Sequence, residues 1–220
     1  MFVVIDYDMG NLKSMSNALK ALGLPHEVSG DRDVVERAAA VILPGVGAFG
    51  DGMQALRRRG LVDVLQKKVI DECVPYLGVC LGMQFLASKS FEHGEHEGLD
   101  WIAGSVNRIA PADAALKVPH MGWNDLDVTR AGSPLVRSIE SRTAVYFIHS
   151  YHFVPNARDC VVATTGYGGD LVAAVQHEHI FGVQFHPEKS QGAGLAILRN
   201  FADYVTGHVE KKTDPLTAGR

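Results

Sequence analysis

Cys80 stands between two glycines in the run Gly78-Val79-Cys80-Leu81-Gly82. A nucleophile framed in this way belongs on a tight turn from a buried strand into a helix, where flanking glycines let the two elements approach closely. Pro75 to Val79 is the apolar run that predicts the strand, and Leu81 to Ala87 has the amphipathic pattern of the helix. A helix N-terminus presents backbone N–H groups and a positive dipole end, which favour a thiolate and can hold a developing oxyanion. Cys73 and Cys160 lack this setting and read as ordinary thiols.

A thiol nucleophile needs a base, and the base needs a group that orients it. Gly182-Val183-Gln184-Phe185-His186-Pro187-Glu188 offers both. A strand over Ile180 to Phe185 presents His186 at its carboxyl end, Pro187 stops the ladder, and Glu188 follows two residues later. Catalytic groups of open α/β sheets collect at the carboxyl ends of strands, so Cys80 and His186 can meet although 106 positions separate them (186 minus 80).

The elements that must position these groups follow from periodicity. Phe2 to Ile5, Ala40 to Leu43 and Pro75 to Val79 are short apolar runs typical of buried strands. Between them, Leu12 to Leu22, Asp33 to Ala38, Gly52 to Arg58 and Leu61 to Cys73 read as helices, and His26 to Ser29 as a further strand. Strand–helix alternation predicts an α/β fold with a mostly parallel central sheet flanked by helices. From Trp101 onward the pattern changes to short strands at 106–109, 144–148, 160–164, 171–175 and 180–185, so additional antiparallel strands are expected in the second half. A helix over 193–205 closes a domain of residues 1–205, and the polar stretch 206–220 reads as a loose tail.

Composition bounds the function classes. The chain has 220 residues, 46% of them hydrophobic and 21% charged, enough to bury one core. A formal net charge of -4 gives no footprint for nucleic acid, and Arg57-Arg58-Arg59 reads as a helix end or a partner contact. Three cysteines are no disulfide framework. The start, MFVVIDYDMGN, has no secretory pattern, and no run of about twenty apolar residues predicts a membrane span. A cytoplasmic location is expected. Among ten histidines, His93 with His96 and His177 with His179 are the tempting metal pairs, but no ligand set with zinc spacing accompanies them. No dinucleotide fingerprint or P-loop is present, so neither a metal nor a cofactor is expected.

The segments Pro44-Gly45-Val46-Gly47, Gly78 to Gln84 and Phe185-His186-Pro187-Glu188 together resemble the triad class of glutamine amidotransferases. Ile5 to Leu12, Pro119-His120-Met121-Gly122-Trp123-Asn124 and Tyr146 to His152 narrow the resemblance to the glutaminase subunits of imidazole glycerol phosphate synthase, over about residues 2–205. Asp8 departs from the glycine usual in the first motif. The resemblance implies that Cys80 attacks the carboxamide of L-glutamine, that His186 activates the thiol and protonates departing ammonia, and that Glu188 orients His186. It implies an oxyanion hole from Val46, Gly47 and Leu81, and glutamine contacts at Gln84, Glu92, Ser150 and Tyr151. It also implies a (β/α)8-barrel cyclase subunit as partner in a heterodimer, with Asn11, Met121, Trp123 and Asn124 at or near that interface. There the ammonia would yield imidazole glycerol phosphate and an aminoimidazole carboxamide ribotide in histidine biosynthesis. Of Trp123, the residues alone allow a core aromatic, and Gly122 favours a loop around it. Rival readings are another glutaminase, a non-catalytic binding subunit and a cysteine peptidase. The motifs at 119–124 and 146–152, the intact trio, and Gln84 with His149-Ser150-Tyr151 argue against these in turn.

Overall fold

Strands that are apolar at every position need cover on both faces. The computed structural model describes residues 1–213, with side chains to residue 210. Its first half runs β1 (Phe2–Ile5), α1 (Leu12–Ala21), β2 (His26–Ser29), α2 (Arg32–Glu36), β3 (Ala40–Gly45), α3 (Phe49–Arg58), α4 (Leu61–Gln66), β4 (Tyr76–Cys80) and α5 (Leu81–Gln84). The second half runs β5 (Lys89–Ser90), β6 (His96–Glu97), β7 (Gly104–Arg108), β8 (His120–Val128), β9 (Thr143–His149), β10 (Tyr151–Pro155), β11 (Val161–Gly166), β12 (Asp170–His177), β13 (Ile180–Val183) and α6 (Gln191–Thr213).

Nine strands form one sheet in the order β2-β1-β3-β4-β13-β12-β11-β8-β9. Pairing is parallel from β2 to β13 and antiparallel from there to β9. A second sheet, β10-β7-β5-β6, packs beside it. β1, β3 and β4 are buried along their whole length. Alternation divides their side chains between two cores. Val3, Ile5, Val41 and Leu43 face α3, α4 and the second sheet, while Phe2, Val4, Ala40 and Ile42 face α1 and α6.

The return of β13 to the side of β4 brings the site together. Val79 pairs with Val183, and on the other flank Cys80 pairs with Gly45. Three neighbouring parallel strands therefore end at one place, delivering Val46, Cys80 and the segment leading to His186.

Several expectations need correction. The helix expected over 61–73 stops at Gln66 and passes into a π-helical turn, Lys67–Asp71. The helix after Cys80 is one turn, Leu81–Gln84, not a run to Ala87. β13 ends at Val183, after which His186 N donates to Tyr146 O on β9. The loop expected around Gly122 is strand: β8 pairs with β9 from His120 to Leu126, and Gly122 fits because its φ of +130° requires no Cβ. The candidate metal pair His177 and His179 is divided by a turn, since β12 ends at His177 and Glu178 has φ +49°. The last helix does not stop near Val205. It continues to Thr213, with Thr206 Oγ1 bonded to Ala202 O and His208 Nε2 to Cys73 O at 3.0 Å. The rest of the expected tail lies outside the described residues. No described helix is long and apolar enough to cross a membrane.

Candidate active site

Cys80 adopts φ +54° and ψ −107° at the junction of β4 and α5. A side chain in that region costs ~1–3 kcal/mol and persists only where its surroundings impose it. The two motif glycines are part of that imposition. A Cβ on Gly78 would strike the Gly82 carbonyl, and a Cβ on Gly82 would strike the Leu43 carbonyl of β3. The turn is closed by backbone packed on backbone, and Tyr76 Oη donates to Gly82 O at 2.8 Å.

His186 and Glu188 meet as the spacing suggested. Nδ1 of His186 lies 2.8 Å from Glu188 Oε1, and both side chains are almost wholly buried. Burial opposes protonation of His186, but the Cys80 thiolate and the Glu188 carboxylate outweigh it and push the imidazole up to about 10. With Nδ1 committed to Glu188, Nε2 is left for Cys80, and among the described residues it has no closed hydrogen bond at rest. Catalytic hydrogen bonds of free enzymes are commonly this loose and tighten on substrate. Tyr7 is buried under the same turn with an unpartnered hydroxyl, and burial, then the Cys80 charge, raises its pKa.

A cavity of about 340 Å³ opens over Cys80. Its wall brings together Val46, Gly47, Leu81, Gln84, Glu92, Ser150, Tyr151 and His186. Gln84 Nε2 is turned inward, to Tyr151 O at 2.9 Å and Gln184 Oε1 at 3.0 Å. Glu92 Oε2 accepts from Phe49 N at 2.7 Å, tying the second sheet to the start of α3. Val46 is 42% exposed, and Gly47 beside it has φ +99°.

The four interface candidates separate. Met121 and Trp123 share one face of β8, 57% and 50% exposed, so Trp123 is no core aromatic. Met121 also touches the cavity. Asn124 belongs to the other face, where Nδ2 serves His120 and Gly166 O. Asn11 caps α1, accepting from Ser14 N. Asp8, the departure from the first motif, sits at φ +72° and is gripped by the Arg59 guanidinium through 2.9 and 2.5 Å contacts. The basic run at the end of α3 thus serves partly as a clamp on that loop.

Two residues at the cavity had no role of their own in the sequence argument. Gln184 Nε2 lies 3.6 Å from Cys80 Sγ, and His149 lines the cavity. Both sit inside motifs already singled out, and only their strand-end positions could have marked them. Of the four candidate metal histidines, His179 Nε2 contacts Val69 O at 2.6 Å and His93 packs against the Tyr151 ring. Cys73 Sγ contacts Ile70 O and Cys160 Sγ contacts Ala157 O, and neither residue lines the cavity.

With this geometry in view, the family model described as Glutamine amidotransferase class-I matches residues 3–204. The chain belongs to the class-I glutamine amidotransferase family. Within it, the imidazole glycerol phosphate synthase subunit HisH of Zymomonas mobilis is 48% identical over 205 residues, covering 91% of this chain and 94% of that protein. The HisH subunit of Moorella thermoacetica is 48% identical, covering 92% and 94%. That of Aquifex aeolicus is 44% identical, covering 90% and 94%. The amidotransferase fold is also that of PurLQS from Thermotoga maritima, with TM-score 0.73, 20% identity and 93% and 98% coverage. The glutaminase domain of Trypanosoma brucei CTPS follows at TM-score 0.59, 17% identity and 92% and 93% coverage.

Proposed function

We propose that this chain is the glutaminase subunit of an imidazole glycerol phosphate synthase. It hydrolyses L-glutamine and passes the ammonia to a cyclase subunit in histidine biosynthesis. The observation that carries the reading is that Cys80 and His186 line one cavity with Glu188 bonded to His186, within a chain 48% identical to HisH over nearly its whole length.

The Cys80 thiolate attacks the carboxamide carbon. Charge moves to the carbonyl oxygen, which Leu81 N–H and the Val46–Gly47 segment receive as an oxyanion hole. The C–N bond then breaks, His186 Nε2–H supplies the proton to the leaving nitrogen, and ammonia and a glutamyl thioester remain. His186, now neutral, takes a proton from water as that water attacks the thioester, and glutamate leaves with the thiolate restored. Glu188 holds Nδ1–H and steadies the imidazolium in both steps. Gln84, Glu92, Ser150 and Tyr151 hold the substrate, with Glu92 as the acidic group for its α-ammonium. The cyclase is a (β/α)8 barrel that docks on the face bearing Met121 and Trp123, with Asn11 near it, forming a cytoplasmic heterodimer. No cofactor takes part in these steps.

The test is Cys80→Ala assembled with the cyclase. Glutamine-dependent synthesis is expected to vanish and ammonia-dependent synthesis to persist. Equal loss of both in a folded complex overturns the division of labour.

A further inference from the structure

Two imidazoles line or border the cavity, and they are held in opposite states. His186 is pushed up to about 10, whereas burial, opposed by the Tyr151 carbonyl, drives His149 down to about 3. His120, its cross-strand partner, is lowered by burial to about 4. The charges that bear on His149 come from His120, His152 and His186, and no carboxylate is among them. Both rings are therefore neutral around pH 7.

Neutral rings have one donor and one acceptor nitrogen, so the contacts fix every proton. His149 Nδ1 lies 2.9 Å from Tyr151 O. A carbonyl only accepts, so Nδ1 carries the hydrogen and Nε2 is bare. That Nε2 lies 2.9 Å from His120 Nδ1, which must donate. His120 Nε2 is then bare and accepts from Asn124 Nδ2 at 3.1 Å. Asn124 is pinned in that orientation at both ends, since Oδ1 accepts from Asp125 N and Nδ2 also reaches Gly166 O. The His120 ring is clamped between Phe147 at 4.6 Å and Tyr167 at 4.1 Å.

We infer that Asn124, His120 and His149 form a one-directional hydrogen-bond chain that positions the Ser150–Tyr151 backbone at the cavity and keeps His149 out of proton transfer. They are positioning residues, and the inference rests on the glutaminase reading for the identity of what is positioned. The chain ends on Tyr151 O, the same carbonyl that receives Gln84 Nε2. One carbonyl thus joins the β8–β9 hairpin to the segment after Cys80. It also explains why Asn124 turns away from the exposed face of Met121 and Trp123 while lying on the same strand.

Two kinds of measurement test this. In the wild-type chain, nitrogen-15 NMR of the imidazoles at pH 7 is expected to show pyrrole-type Nδ1 and pyridine-type Nε2 on both His120 and His149. An Nε2–H tautomer on either ring overturns the chain of donors. This arm needs no substrate, so it stands even where wild type with its cyclase fails to hydrolyse glutamine, a result that overturns the proposed function instead. The second arm separates hydrogen bonding from packing. His120→Phe keeps an aromatic ring between Phe147 and Tyr167 but loses the donor; His120→Asn loses the stack but keeps an N–H where Nδ1 was. With the cyclase present, His120→Phe is expected to raise KM for glutamine about five-fold, the equivalent of one ordinary hydrogen bond, with kcat changed less. His120→Asn is expected to recover most of that rise. A normal KM in His120→Phe, or an Asn variant as impaired as the Phe variant, overturns the inference.

Discussion

The parallel and antiparallel halves of the central sheet contribute different things to the cavity. From the parallel half come the proposed reacting groups, at the ends of β3, β4 and β13, where backbone packs directly on backbone through Gly78 and Gly82. From the antiparallel half comes a wall made by the β8–β9 hairpin, continued by the start of β10 in the second sheet, and there imidazole stacks on aromatic rings. The proposed chemistry is thus placed on a stretch where backbone is locked against backbone. The wall proposed to meet the substrate is held by side-chain hydrogen bonds whose direction depends on protonation.

The largest contrast should appear in catalysis. His186→Ala, in the assembled enzyme, is expected to lower the rate of glutamine hydrolysis by ~100- to 10,000-fold, the usual worth of a general acid–base. Glu188→Ala removes only the orienting carboxylate and should cost less. Steady-state assays of the two folded variants decide it, and equal losses would mean that Glu188 does more than orient.

Glycine substitution contrasts the halves in stability. Gly82→Ala drives a Cβ into the Leu43 carbonyl, a backbone atom that cannot step aside, and should lower stability by more than ~3 kcal/mol or prevent folding. Gly122→Ala meets open space and pays only for its φ of +130°, ~1–3 kcal/mol. Urea unfolding of both variants checks the order, and a milder effect at Gly82 would break the distinction.

β1 and β3 of the parallel half were legible because they are buried on both faces and so read as unbroken apolar runs, Phe2 to Ile5 and Ala40 to Leu43. The antiparallel half hid β8, and the second sheet hid β10. β8 alternates exposed Met121 and Trp123 with inward His120, and it contains a glycine, so nothing in the run distinguishes it from a polar loop. The Cys80, His186 and Glu188 trio could be read from turn chemistry and strand ends, because each is a backbone-determined position. His149 and Gln184 could not, because their places depend on cross-strand partners that only the register supplies. The far end of α6 was misjudged because its polar sequence lacks a core stripe beyond Val205, although His208 still packs on the Tyr204 and His179 rings.

A smaller effect should follow from the buried imidazoles. Free histidine titrates near ~6.5, so below that pH the unfolded chain takes up protons that native His120 and His149 refuse until about 4 and about 3. The stability they contribute is full above about pH 6.5 and drains as pH falls toward those values, at up to ~1.4 kcal/mol per pH unit for each ring. His186 is shifted the other way, so its contribution is full below about 6.5 and fades as pH climbs through about 10. Unfolding free energies between pH 4 and 7 should therefore slope downward on acidification, with a shallower slope in His120→Asn. A flat profile in the wild type contradicts the neutral assignment.

The most direct test of Cys80 as nucleophile is covalent capture. A chloromethyl ketone built on glutamine should add once to the chain assembled with its cyclase, on Cys80 by peptide mapping, and excess glutamine should slow the addition. Cys73 and Cys160 should stay unlabelled under the same conditions, and Cys80→Ala should take up no label. Label arriving at Cys73 or Cys160, or none at all on an enzyme that is hydrolysing glutamine, would contradict the assignment of Cys80.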